Sequence, residues 1–303
     1  MITMSRAMLL FPMSKARSVI IAALCVAAAF LSGCSMLRLG YNQAPDLAYW
    51  WLDAYADFDD NQTPRLRSAL SQWLVWHRRT QLPDYAALLV RAQSEALADT
   101  TPERVCAFEA DLRDRIDTAV DRAVPAAAEL ALMLNPAQLQ HIERRYAKSN
   151  EEFRADYLQA DRAERAKASA RRAADRIEML YGDLGDAQLE RIAKSVVVSP
   201  FDPELWLKER QRRQQDLMQM LRKLIAERAP ADRAQAAVRA HVKQYRRSPN
   251  EVYRAYYARL SEFNCAQGAA LHNAMAAAQR QVAVQRLKGW EADVRALAVD
   301  AGP

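Results

Sequence analysis

Four carboxylates stand close together near the start of the chain: Asp53, Asp57, Asp59 and Asp60. Asp53 and Asp57, four residues apart, would share one face of a helix. Neighbouring carboxylates can shift each other's pKa, which suits acid–base work, or can hold Ca²⁺. The stretch lacks the DxDxDG layout and the glycine of a calcium hand. The plainer reading is an acidic helix end and turn, paired to arginines such as Arg65 and Arg67. The four histidines, His77, His141, His241 and His272, show no HxH or HExxH spacing, so the sequence supports no zinc site. His77 falls near a helix end, where a cation complements the helix dipole. No GxSxG, P-loop or GxGxxG occurs, and seven glycines leave little material for phosphate-cradling loops. The expectation is a non-enzymatic protein without metal or cofactor, with Asp53, Asp57, Asp59 and Asp60 as the one catalytic alternative.

Two other sets suit binding rather than catalysis. Tyr49, Trp50, Trp51, Trp73 and Trp76 are candidate partner-binding aromatics. Adjacent tryptophans cannot both face one core from a helix, so at least one should reach the surface or a membrane interface. Arg162, Arg165, Arg171, Arg172, Arg212 and Arg213 are candidate anion-binding cations. The charge is uneven: residues 34–135 carry 15 acids, 10 arginines and no lysine, whereas residues 136–303 carry 22 acids and 30 bases. Such a split marks either a basic face for an acidic partner or two halves that complement each other in one fold.

The location of the chain is written in residues 31–34, Leu31-Ser32-Gly33-Cys34. They follow the apolar run from Val19 to Leu31, itself preceded by Lys15 and Arg17, which is the layout of a secretory signal. Met13 would give a tidier start to it than Met1. Thirteen apolar residues are too few to span a bilayer, which needs roughly 20. The tetrapeptide resembles a lipobox, the cleavage and acylation site of bacterial lipoproteins. That resemblance implies cleavage before Cys34, acylation of Cys34 (with palmitate among the acyl groups), and a membrane-lipid partner. Ser35 in place of Asp implies sorting to the outer membrane, facing the periplasm.

Such a location constrains the remaining residues. Nucleic acid is not expected as a partner outside the cytoplasm. With Cys25 in the signal and Cys34 acylated, Cys106 and Cys265 remain, and an oxidising compartment favours a disulfide between them. Closing so long a loop contributes on the order of 5 kcal/mol in the chain-entropy model.

Helices must position all of these groups. Thr63-Pro64, Thr101-Pro102, Asn135-Pro136, Asp202-Pro203 and Ser248-Pro249 each pair a capping side chain with a proline suited to the first helical position. Val105, Phe108, Leu112, Ile116, Ala119 and Ala123 step by three and four, the apolar stripe of a core-facing helix. The fold expected is all-α, an elongated multi-helix bundle with long antiparallel helices near 45–58, 64–81, 83–98, 102–133, 136–181, 187–198, 203–228, 231–247 and 249–298. Pro125 should kink or end the fourth. Residues 1–33 form the signal and 34–44 the tether. Residues 45–303 form one helical domain, with room for two lobes meeting in the long helix near 136–181. Residues 134–139 (Leu-Asn-Pro-Ala-Gln-Leu) echo 184–189 (Leu-Gly-Asp-Ala-Gln-Leu), each placing Gln-Leu in a first helical turn.

The opening segment carries a family resemblance. Leu39-Gly40-Tyr41-Asn42-Gln43, Leu47-Ala48-Tyr49-Trp50-Trp51-Leu52-Asp53, Asp57-Phe58-Asp59-Asp60, Trp73, Trp76-His77 and Leu82-Pro83 resemble an uncharacterised family of proteobacterial lipoproteins, a domain of unknown function. The resemblance continues through Tyr181-Gly182 and Phe201 to Gln215, and implies an envelope location but no activity. The echoed Gln-Leu turns also resemble the LTxxQ motif of small periplasmic stress chaperones, without its threonine. The function expected is an outer-membrane-anchored periplasmic lipoprotein that binds an envelope protein as scaffold, assembly factor or chaperone-like holder. Its alternative is binding of an anionic envelope molecule by the basic C-terminal half. Oligomeric state is open at this level.

Overall fold

The computed structural model describes residues 36–299; the signal and Cys34 lie outside them. Helices are the only regular elements there: α1 Met36–Asn42, α2 Ala44–Ala56, α3 Gln62–Thr80, α4 Leu82–Glu95, α5 Pro102–Met133, α6 Pro136–Tyr157, α7 Arg162–Tyr181, α8 Asp186–Val198, α9 Pro203–Ala226, α10 Ala231–Arg246, α11 Glu251–Asn273 and α12 Ala277–Val299. The chain divides between Asn42 and Gln43 into two units. α1 belongs to the first and has no buried residue. The helices from α2 onward form an all-α multi-helix bundle.

The long helices pair antiparallel, as their cross-links show. Along α5 and α11, Cys106 meets Cys265, Glu109 meets Ser261, and Arg113 meets Tyr257. Along α6 and α9, Glu143 meets Arg222 and Asn150 meets Gln214. Gln93 of α4 meets Glu291 of α12, and Asp99 just beyond α4 meets Arg280. The largest core cluster joins Val124, Ala128 and Ala131 of α5, Leu139 and Ile142 of α6, Met218, Leu221 and Leu224 of α9, and Ala234 and Val238 of α10.

Three of the five expected caps are present. Thr101 accepts from Arg104 N, Asp202 from Glu204 N and Leu205 N, and Asn135 forms a full capping box with Gln138. The other two are displaced. Asp59, not Thr63, accepts the Asn61 and Gln62 N–H groups at the start of α3. Asn250, not Ser248, caps α11, and Ser248 Oγ instead accepts from Asn250 N. Pro125 neither ends α5 nor divides it. Interior proline costs about 3 kcal/mol or more, but Val124 and Ala128 on either side are buried in the main core, and that packing outweighs it. The expected helix 136–181 is two helices: α6 stops at Tyr157, and Asp161 restarts the chain by accepting from Ala163 N and Glu164 N. The expected helix 249–298 is also two, broken at residues 274–276.

The echo between residues 134–139 and 184–189 has a structural counterpart larger than either segment. Gln138 Nε2 donates to Gln62 Oε1 and Asp57 O; Gln62 Nε2 donates to Gln138 Oε1 and Met133 O. Each glutamine oxygen also accepts from the N–H three residues before it, Asp59 and Asn135. Gln188 and Gln279 repeat this pattern bond for bond. Gln188 Nε2 donates to Gln279 Oε1 and Ala274 O, and Gln279 Nε2 to Gln188 Oε1 and Asp183 O. Gly185 N and Ala276 N complete it. In both clasps every receiving carbonyl lies five residues before a glutamine. The clasps tie the starts of α3 and α6, and of α8 and α12. The second one explains the break at 274–276, where no glycine or proline signals it.

Candidate functional site

Two of the four carboxylates, Asp53 and Asp59, accept from backbone N–H groups. Asp53 Oδ1 accepts the Phe58 N–H after the end of α2. Asp57 takes the left-handed C-cap position, φ 50°, and its carbonyl receives Gln138. Asp59 caps α3, and Asp60 is exposed. Arg65 and Arg67 do not pair with this group: Arg65 reaches Glu129, and Arg67 reaches Asp46 at 2.6 Å. No cluster of three or more metal-ligating side chains occurs among the described residues.

The aromatic set divides in two. Trp73 and Tyr49 lie in helix seams: Trp73 Nε1 donates to Ala119 O, and the Tyr49 hydroxyl meets Thr63 while Arg67 covers its ring. Trp76 is half-buried beside Trp73, with Arg122 above its ring. His77 stacks on Trp73 and is buried, which lowers its pKa. Burial therefore disfavours the helix-end cation expected of it. Trp50 and Trp51, by contrast, are 58% and 61% exposed. With exposed Leu47 and Ala54 they stand at i, i+3, i+4 and i+7, one continuous apolar face of α2.

The six arginines do not converge either. Arg212 and Arg213 of α9 close on Glu209, whose side chain is 2% exposed. Arg212 donates to both Glu209 oxygens and to Asp216, Arg213 Nε donates to Oε1, and the Arg213 guanidinium lies 4.3 Å from the Tyr245 ring centre. Burial pushes the Glu209 carboxyl up, but hydrogen bonds from Arg212, Ser248 and Arg213 outweigh it and hold the pKa below its ordinary value. Tyr253 beside this network is pushed up to about 12 by burial. On α7, Arg171 pairs with Asp175 and Arg172 lies over the Tyr157 ring, while Arg162 is exposed and Arg165 half-buried. The anion set inferred from sequence is thus split between an internal network and a surface helix.

Cys106 and Cys265 stand in disulfide geometry, with Cα atoms 5.4 Å apart, pinning the start of α5 to α11. The apolar stripe of α5 departs from expectation beside this link. Leu112, Ile116 and Val120 are 42%, 51% and 38% exposed rather than buried. On the helical wheel Leu112 and Ile116 fall between Asp111 and Arg115, which face α4, and Glu109 and Arg113, which face α11, while Val120 continues the stripe at the azimuth of the second edge. Ion pairs rim the stripe: Arg91–Asp111 at 2.6 Å and Arg115–Asp84 at 2.8 Å on one side, Arg113–Glu109 at 2.5 Å on the other. Arg91 and Asp84 of α4 bridge to Asp111 and Arg115 of α5, and the Arg91 guanidinium also lies over the half-buried Phe108 ring. The result is an aliphatic strip between charged edges.

Sequence reasoning missed Leu47, Val120, Gln62, Gln279 and Glu209. The helical spacing of Leu47 with Trp50, Trp51 and Ala54 was a readable signal for the first. The partners of Gln138 and Gln188 lie 76 and 91 residues away along the chain, and no local pattern announces them. No described helix is long and apolar enough to cross a membrane. A family model described as "Family of unknown function (DUF6279)" matches residues 54–246. No curated protein matches the chain, and no solved structure does.

Proposed function

We propose, on the premise that this chain belongs to DUF6279, a family of unknown function, that it is a lipid-anchored envelope protein that holds a protein partner without catalysis. The observation that carries this reading is the open Leu112–Ile116–Val120 strip of α5. Exposed aliphatic residues in a line, with ion pairs along both edges, suit an amphipathic helix or strand whose apolar side chains fill the strip. The lipobox resemblance at Cys34 supports the anchor, and the outer membrane facing the periplasm is the proposed location. The use of the Asp53 and Asp59 carboxylates in backbone caps supports a non-enzymatic role. A photo-crosslinking residue at position 116 should capture a discrete envelope protein in living cells, and Leu112→Lys should remove that product. Crosslinks to lipid alone, or none, would count against a protein partner.

A second reading has its own observation. A surface recess of about 460 Å³ is lined by Ser71, Gln72, Val75, Trp76, Arg79, Thr80 and Arg122. It gathers two guanidinium groups and no carboxylate within the acidic half of the chain. It supports an anionic ligand here rather than in the basic half, and a lack of change in binding on Arg79→Ala/Arg122→Ala would remove it.

A further inference from the structure

Among the described residues the outer face of α2 is left open, apart from the Trp51 ring against Tyr55 at 4.9 Å, and its chemistry is specific. Trp50 and Trp51 present two large indoles side by side, each more than half exposed. Neither indole N–H has a hydrogen-bond partner among the described residues. Leu47 and Ala54 extend the face along the helix. Indoles differ from aliphatic side chains in wanting an apolar surface and a polar layer together, which is the environment at the headgroup level of a bilayer. The first two turns of α2, residues 44–51, contain one charged side chain, Asp46, and Arg67 neutralises it at 2.6 Å. Acidic groups appear only towards and beyond the other end, at Asp53, Asp57, Asp59 and Asp60. Entering an interface with the start of α2 therefore strands no unpaired charge. Charged headgroups are not needed for it, because no free cation lies on the face.

We infer that the Leu47–Trp50–Trp51–Ala54 face of α2 docks on a lipid bilayer surface, the helix lying against the headgroup layer with its first turns inserted. This inference rests on the proposed anchor for its biological setting. Leu47 follows Cys34 by thirteen residues, seven of them helical in α1, so the connecting chain is shorter than the about 45 Å it would span if fully extended. A helix of thirteen residues is about 20 Å long and cannot span the bilayer; it lies at the interface.

The test uses the chain without its signal, residues 34–303, and the Cys34→Ala variant of that chain, with phosphatidylcholine vesicles brominated on the acyl chains. The Cys34→Ala chain should bind these vesicles with quenched tryptophan fluorescence. Trp50→Ser/Trp51→Ser in that background should lower partitioning on the order of tenfold or more, given the free energy of withdrawing two large side chains. Raising salt should change binding little. Leu47→Ser is the second variant, should the double change alter the thermal transition, and should lower partitioning as well. Binding unaffected by these substitutions, absence of vesicle binding by the Cys34→Ala chain, or loss of self-association in their place would each overturn the inference. Failure of the anchor reads differently: labelled palmitate would then be absent from the wild-type chain, and wild type and Cys34→Ala would fractionate alike, whatever the vesicles report.

Discussion

Glu209 shows how one residue type can be used against its usual preference. A carboxylate side chain 2% exposed is tolerated because Arg212 and Arg213 donate to it from the next turn of the same helix. Breaking a buried pair by neutralising one partner costs about 3 kcal/mol, since the other charge is left behind; Glu209→Gln should do so at pH 7. The pH dependence has a definite sign. The folded pKa lies below the ordinary carboxylate value, so the unfolded chain takes up the proton first. The contribution is present above the unfolded pKa, near 4.3, and is lost as pH falls through the folded one. Thermal melts from pH 7 to pH 3 should show the gap between wild type and Glu209→Gln closing towards acid. A gap constant with pH would refute the assignment. The arginines were visible in the sequence as a basic run. Their orientation towards a buried acid on their own helix was not, because the same run reads equally well as a solvated face.

Among the elements, the paired glutamine clasps set where four helices begin. The first is buried, with Gln62 and Gln138 only 2% and 4% exposed, whereas Gln188 and Gln279 are half-buried. Water can replace a lost partner in the second clasp but not in the first. Gln138→Ala should therefore destabilise the fold by about 3 kcal/mol, from several unsatisfied buried groups, and Gln188→Ala by about 1 kcal/mol. Urea midpoints of the two variants would measure this, and equal losses would contradict it. Most helix starts were legible locally, since Thr101, Asn135 and Asp202 cap as their side chains dictate. The starts at Gln62 and Ala277 were less so, because the groups that fix them come from helices far along the chain. The break between α11 and α12 has the same origin. An alanine-rich segment would continue as helix by propensity, and the clasp stops it.

For the molecule as a whole, the Cys106–Cys265 link acts on the unfolded chain more than on the folded one. It closes a loop with a sequence separation of 159 and so removes more unfolded-state freedom than a local bridge would. Reduction, or Cys106→Ala/Cys265→Ala, should lower stability by about 3 to 5 kcal/mol, read from urea unfolding with and without reductant. Free thiols in exported protein, detected by alkylation before reduction, would show that the pair is not bonded in the cell. The two apolar faces should also separate at this scale. Leu112→Lys should abolish protein crosslinks without changing vesicle binding, and Trp50→Ser/Trp51→Ser should do the reverse.

The residues alone determined that the chain is helical, because capping side chains, prolines and a period of three to four are local properties that need no partner. Cys106 and Cys265 became the expected pair only through the lipobox resemblance that set Cys25 and Cys34 aside, and the structure places their Cα atoms 5.4 Å apart. Only the tertiary structure decided which apolar stripe would be covered. Leu112 and Ile116 satisfy every local rule for a core position, yet α4 and α11 meet α5 on either side of them and the stripe stays open. Burial depends on what the rest of the chain brings opposite a face, and periodicity records only that a face exists.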